Sequence, residues 1–153
     1  MITDPADRIG FLMWQTAHAF GLRMAQELGE LDLTAAQFGV LVHVTREPGV
    51  SAAELARRLN LTRQGIRAAL QPLLDRGALV RKPHPVHRRV QGLFTTPEGE
   101  ELARDADTRI NATEGAMLDA FDPDDRTRFH GYIRRATEAL NPAALDRTSI
   151  RPR

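Results

Sequence analysis

The sequence predicts a mainly α-helical fold with one small β-hairpin. Apolar residues recur at steps of three and four along six segments, the period of one helical face. Residues that cap helices precede most of these segments. Two short β-like runs, "ALVRK" and "RVQGLFT", are joined by "PHPVHR". A chain of 153 residues is one domain's worth, enough to bury a single core.

The first helix is expected from about Pro5 to Leu28, with Ile9, Leu12, Met13, Ala17, Phe20, Met24 and Leu28 on one stripe and Phe11 and Trp14 off it. Thr34 and Gln37 have capping-box spacing and should start the second helix, "TAAQFGVLVHV", which "EPGV" ends. Ser51 and Glu54 repeat that spacing at the start of "SAAELARRLNL", where Leu55, Ala56 and Leu59 should face inward and Arg57 and Arg58 outward. After a break at Asn60 and Leu61, Thr62 can cap a fourth helix, "TRQGIRAALQPLLDRG". Its inward residues are Ile66, Ala69, Leu70, Leu73 and Leu74, and Gly77 is its stop. Pro72 lies inside it, removes the N–H that would bond Ala68, and should kink the helix or shorten its regular part. After the hairpin, Thr96 caps a fifth helix with Pro97 at its first position and a stripe of Leu102, Ala106, Ile110, Met117 and Phe121. Asp122-Pro123 restarts a sixth, with Phe129, Ile133, Ala136 and Leu140 at a helix-packing period. "NPAALDRTSIRPR" reads as a polar, frayed tail.

Composition narrows the chemistry. Without cysteine there is no disulfide framework, thiol nucleophile or thiolate zinc site. No apolar run is long enough to span a bilayer, and "MITDPADR" lacks the basic start of a secretory signal, so no membrane association is expected and the cytoplasm is the expected compartment. Net charge is only +1, but it is unevenly spread. Residues 51–96 hold nine Lys and Arg against two acids, about +7, while the rest of the chain has 12 basic and 18 acidic residues, about −6. That asymmetry points to a polyanionic partner.

Two short helices in succession, the second with outward Arg and Gln, form a helix-turn-helix pattern. The DNA major groove admits one α-helix, whose N-terminal residues meet base edges. Arg63, Gln64, Arg67 and Gln71 are the candidate base readers, because Arg can fork onto guanine and Gln can pair with adenine. Thr62 and Ser51, at helix starts, are the candidate phosphate contacts. A hairpin directly after such a pair is a wing. Pro83 and Pro85 stiffen it, and Arg88 and Arg89 near its tip suit the negative potential of a narrow minor groove.

"LTAAQFGVL" and "SAAELARRLNLTRQGIRAALQPLLDRGALVRKPHPVHRRVQGLFTTPEG" together resemble the MarR family of bacterial winged-helix transcription regulators, over about residues 8–140. The most specific pieces are Ser51-x-x-Glu54-Leu55-Ala56, the run through Gly77 to Arg81, and Thr95-Thr96-Pro97-Glu98-Gly99. The resemblance implies a winged helix-turn-helix lobe at 34–96, dimerisation helices at 1–33 and 97–141, and a flexible segment at 142–153. It also implies a homodimer on a pseudo-palindromic operator, usually a repressor, in many members released by a small, often aromatic ligand. The family's wing usually carries Asp-x-Arg. Here His87 takes the Asp position, Arg89 keeps the Arg, and Thr95 replaces the usual Leu.

Phe11, Trp14, His18, Phe38 and His43 are the candidate lining of a cleft for a planar aromatic acid. His84 and His87 have H-x-x-H spacing, but no cysteine or nearby carboxylate completes a set, so neither a metal nor a cofactor is expected. No nucleophile–base or carboxylate pair suggests an enzyme. The remaining alternative is a winged helix that binds protein without specific DNA recognition, against which the basic 51–96 segment argues.

Overall fold

The computed structural model describes residues 4–83 and 91–145. A 3-10 turn, Pro5–Asp7, leads into α1 (Ile9–Gly29), α2 (Ala35–Arg46), α3 (Ala52–Arg58) and α4 (Arg63–Asp75). Strands β1 (Leu79–Pro83) and β2 (Gln91–Thr95) follow, then α5 (Pro97–Leu118), α6 (Pro123–Leu140) and a second 3-10 turn, Pro142–Leu145. This is the mainly helical, hairpin-bearing architecture that the sequence predicts.

Local chemistry explains most boundaries. The Thr34–Gln37 box closes in both directions, with Gln37 N–H to Thr34 Oγ1 at 3.2 Å and Thr34 N–H to Gln37 Oε1 at 2.7 Å. The hydroxyls of Thr62 and Thr96 accept from the N–H groups of Gly65 and Gly99, and the carboxylate of Asp122 accepts from that of Asp125. Each satisfies one of the free donors of a helix start. Gly77 leaves α4 at φ +73°, a conformation that favours glycine.

Several expectations need correction. The first helix does not start at Pro5: Asp4 caps a separate 3-10 turn and Arg8 is extended before α1 begins. The Ser51–Glu54 box is only half made, because the Glu54 carboxylate is taken by Arg57 and Arg58. Pro72 does not shorten the regular part of α4, which runs on to Asp75. Pro72 and Ala68 are both exposed, so water can take the carbonyl that loses its helical partner. Phe121 lies beyond α5, in the turn to α6, stacked on Phe129 at 5.0 Å. Residues Pro142–Leu145, expected in the tail, form a 3-10 turn that packs on α3 and buries Ala143. His84, Pro85, His87, Arg88 and Arg89 lie outside the described residues.

The core sits at one end of the molecule. Leu28 from α1, Val40, Leu41 and Val44 from α2, Leu55 from α3, Leu70 and Leu73 from α4, Leu79 from β1 and Leu93 from β2 are all fully buried. Ala103, Ala106 and Ile110 bring α5 into the same cluster. The strands pair antiparallel, from Leu79 opposite Thr95 to Pro83 opposite Gln91. Gly49 N–H to Leu93 O and Leu93 N–H to Val50 O tie the α2–α3 connection to β2. The hairpin is thus welded at its base to the helix pair.

The other end is different. α6 buries no residue, and Ile9, Leu12, Ile133 and Leu140 are 77%, 49%, 41% and 81% exposed. A groove of about 390 Å³ runs there, lined by Ile9, Leu12, Met13, Thr16, Ala17 and Phe20 of α1 with Met117, Phe129 and Ile133. The α1 stripe read from the sequence therefore splits: its C-terminal end enters the core and its N-terminal end lines this groove.

The junction of α4, β1 and α5 is tight. Thr96 Oγ1 donates to the Gly77 carbonyl at 2.7 Å, and a Cβ on Gly99 would come within 1.9 Å of the Ala78 carbonyl oxygen. Gly99→Ala should therefore force the start of α5 away from β1, at a cost of about 1–3 kcal/mol or more. Urea unfolding followed by circular dichroism measures this, and an unchanged midpoint would contradict the close approach.

Candidate nucleic-acid interface

α4 has one apolar and one polar face. Ile66, Ala69, Leu70 and Leu73 are buried, while Thr62, Arg63, Gln64, Arg67, Ala68 and Gln71 are exposed. Arg63, Gln64 and Arg67 share one face of the first turns, since residues three and four apart lie side by side. Among the described residues, neither Arg63 nor Arg67 has a carboxylate partner. Gln71 is engaged: its Nε2 donates to Asp75 Oδ1 at 2.7 Å. The hydroxyls of Thr62 and Ser51 accept from backbone N–H groups, which leaves each O–H free to donate. On the hairpin, Arg81 is exposed and Lys82 sits 5.9 Å from the centre of the Phe94 ring.

The basic count of residues 51–96 overstates the outward charge. Arg58 is buried, contrary to the outward position its helix spacing suggests. Its Nη1 donates to Glu47 Oε2 at 2.6 Å and its Nε to Glu54 Oε1 at 2.8 Å. Glu54 also accepts from Arg57 Nε at 3.0 Å. The cluster spans Glu47, the residue that closes α2, and the length of α3. Burial alone would raise the Glu54 carboxyl, but hydrogen bonds from Arg57 and Arg58, with the charge of both, hold it below its ordinary value. Burial would lower the Arg58 guanidinium, but its bonds to Glu47 and Glu54 raise it. Nearby His43 is half-buried and held below its ordinary value by burial and by the Arg58 charge. Charge patterning in sequence missed this cluster, because Glu47 lies eleven residues before Arg58.

Of the candidate aromatic residues, Phe11, Trp14 and His18 form an exposed ladder along α1. Phe11 and Trp14 have ring centres 5.9 Å apart, and Trp14 stacks on His18 at 5.7 Å. Phe38 packs against the core from α2. His43, five residues on, belongs to a different face of that helix, beside the Arg58 cluster. None of the five lines the α1–α6 groove. Among the described residues there is no cluster of metal-ligating side chains, and no helix is long and apolar enough to cross a membrane.

A helix pair, an exposed cationic recognition face and an adjoining hairpin define a winged helix-turn-helix protein. The MarR family model matches residues 31–90. The HTH-type transcriptional repressor Rv2887 of Mycobacterium tuberculosis is 29% identical over 110 residues, covering 72% of this chain and 79% of the relative. The crystal structure of MarR superposes with a TM-score of 0.77 at 28% identity, covering 92% of this chain and 95% of that one. Rv2887 in complex with salicylic acid superposes with a TM-score of 0.70 at 26% identity, covering 86% and 98%. By this partial family match and these relatives, the chain is similar to the MarR family of transcriptional regulators.

The Arg58 cluster generates a stability prediction. Arg58→Ala leaves two carboxylates facing each other and should cost about 3 kcal/mol. Because the folded Glu54 carboxyl titrates below its unfolded value, its contribution is fully present above the unfolded pKa and is lost as pH falls through the folded one. Urea midpoints of the native chain should therefore drop as pH falls below the ordinary carboxylate range. Arg58→Ala should flatten that drop, and equal acid sensitivity in the two proteins would remove the cluster from the account.

Proposed function

We propose that this chain is a dimeric, sequence-specific regulator of transcription, most simply a repressor, that grips duplex DNA with α4 in the major groove and the hairpin in the adjacent minor groove. The exposed, carboxylate-free guanidiniums of Arg63 and Arg67 at the start of α4 carry this reading. Arg63, Gln64 and Arg67 contact bases, with Gln71 joining them if DNA displaces its bond to Asp75. Thr62 and Ser51 donate their O–H groups to phosphates. Arg88 and Arg89, known here from sequence only, enter the minor groove. A protein-docking winged helix has no comparable need for unpaired cations. In this reading the protein acts by binding, in the cytoplasm where its DNA is.

The dimer is formed by the helices at 1–33 and 97–141. An apolar α1–α6 groove is costly to leave in water, and a second copy covers it with the same apolar residues. Two recognition helices then meet half-sites about 10 bp apart. Rv2887 has been crystallised with DNA as well as with salicylic acid, which supports the same two partners here.

Arg67→Ala should weaken operator binding by about 1–3 kcal/mol and relax choice at one base pair. Arg89→Ala should weaken binding across sequences and reduce its salt dependence. Fluorescence anisotropy on an operator selected from a random library distinguishes the two, and equal loss on every duplex from Arg67→Ala would sink the base-reading role.

The Phe11–Trp14–His18 ladder supports a planar aromatic acid as ligand, by stacking on Trp14 and pairing its carboxylate with His18. Titration with salicylic acid should quench the emission of Trp14, the single tryptophan of the chain, and raise the melting temperature. Neither response at millimolar ligand would count against the ladder as the site.

A further inference from the structure

We propose that Asp75 sets what Gln71 can read: its carboxylate holds the Gln71 amide by the nitrogen, so that the pair selects a base with an exocyclic amino group, adenine or cytosine, over guanine or thymine. The inference rests on the reading of α4 as the helix in the major groove. At 3.6 residues per turn, Gln64, Gln71 and Asp75 fall within about 40° of one another, opposite the buried Leu73. All three are exposed. The outward line of the helix thus ends on a carboxylate, the only acid among the 13 residues of α4. Two forces oppose a negative charge there. One is the negative end of the helix macrodipole. The other is the phosphate charge of any duplex that α4 enters. Among the described residues no cation pairs with Asp75. Its bond is the one it accepts from Gln71 Nε2 at 2.7 Å, one helical turn away.

A glutamine amide has two ends of opposite chemistry, a carbonyl that accepts and an NH2 that donates. Free to turn over, it meets either kind of base edge. An ionised carboxylate can only accept, so Asp75 fixes which end faces it. Turning the amide would set Oε1 against that carboxylate and lose a charge-assisted bond. Gln71 need not give up the bond to meet a base. Among the described residues no donor is bonded to its Oε1. Adenine N6 and cytosine N4 carry the amino groups that donate to such an oxygen, whereas guanine O6 and thymine O4 would face it lone pair to lone pair. With adenine, the second N–H of the amide can also reach N7. A keto base gains a contact only by breaking the Asp75 bond, so the carboxylate acts mainly against the wrong base. Gln71 makes the contact and Asp75 is its positioning residue.

The test uses the full chain and an operator selected from a random library, with each base pair of one half-site substituted in turn and affinities read by fluorescence anisotropy. At the pair where Gln71→Ala levels the preference, the native chain should favour adenine or cytosine by about tenfold over guanine or thymine, and Asp75→Ala should reduce this to about twofold. The change should come from a gain on the keto bases, with preferences at other pairs unmoved. Asp75→Glu, which keeps an accepting carboxylate within reach, should retain most of the preference. In the Gln71→Ala background, Asp75→Ala should change nothing at that pair. A merely structural or long-range charge effect of Asp75 would instead move affinity for every duplex alike. The proposal is overturned if Asp75→Ala keeps the native preference. It is also overturned if Gln71→Ala levels no pair, including the case in which Asp75→Ala alone does so, which would make Asp75 itself the reader. If the native chain binds no duplex even in dilute buffer, the DNA-binding reading fails first and this one with it.

Discussion

A guanidinium locked between two carboxylates governs how the helix pair is presented. Arg58 joins Glu47, where α2 closes, to Glu54 on α3, and Glu54 in turn holds Arg57. Burying a lone charge there would be prohibitive, but the two carboxylates bonded to Arg58 offset part of the desolvation. The geometry also matters more than the energy. Apolar side chains tolerate small rotations, whereas a guanidinium fork bonded to one carboxylate on its own helix and another at the end of α2 does not. The connection just after Glu47 bonds to β2 through Gly49 and Val50. One cluster therefore fixes α2, α3 and the base of the hairpin relative to one another, and α4 packs into the frame they make.

The distribution of apolar burial divides the molecule by task. Around the helix pair, leucines and valines are fully buried within one chain, and the recognition face is held rigidly. At the far end, α1 and α6 leave apolar side chains in solvent. In the proposed dimer a second copy completes that surface and doubles the number of DNA contacts without enlarging the chain. Regulation fits the same division. In the reading proposed above, a ligand at α1 would act on helices that set the spacing of two recognition elements, without touching the DNA face. The chain's acidity follows the same plan, since the −6 spread over the rest of the protein discourages nonspecific contact outside the basic lobe.

Much of the fold was legible in residues that act locally. Thr34, Thr62 and Thr96 cap the helices they were expected to cap, and Asp122 caps the helix it was expected to restart, because a cap needs only a side-chain oxygen and backbone N–H groups two or three residues away. Ile66, Leu70 and Leu73 face inward as their period demands. The exposed face of α4, from Arg63 to Arg67, was equally readable, since the opposite side of an amphipathic helix has nowhere else to point. The errors arose where partners are distant. Arg58 looked solvent-facing because its partner Glu47 lies beyond the end of another helix, eleven residues earlier. Ser51 and Glu54 looked like a reciprocal box because spacing does not reveal that two arginines compete for the carboxylate. Pro142–Leu145 looked like tail because its contacts are on α3, more than eighty residues earlier.

By itself, then, the sequence determined the helices, their caps, the hairpin, the outward guanidiniums of α4 and the family that the whole pattern resembles. These depend on hydrogen bonds and periodicities within a few residues. Tertiary structure alone decided which of the basic side chains are free to meet a phosphate, which apolar stripe enters the core and which lies open, and where the end of α6 is moored. Those outcomes depend on which surfaces meet across long stretches of chain. A charge or a methyl group acquires its role only when the opposite wall of its site is in place.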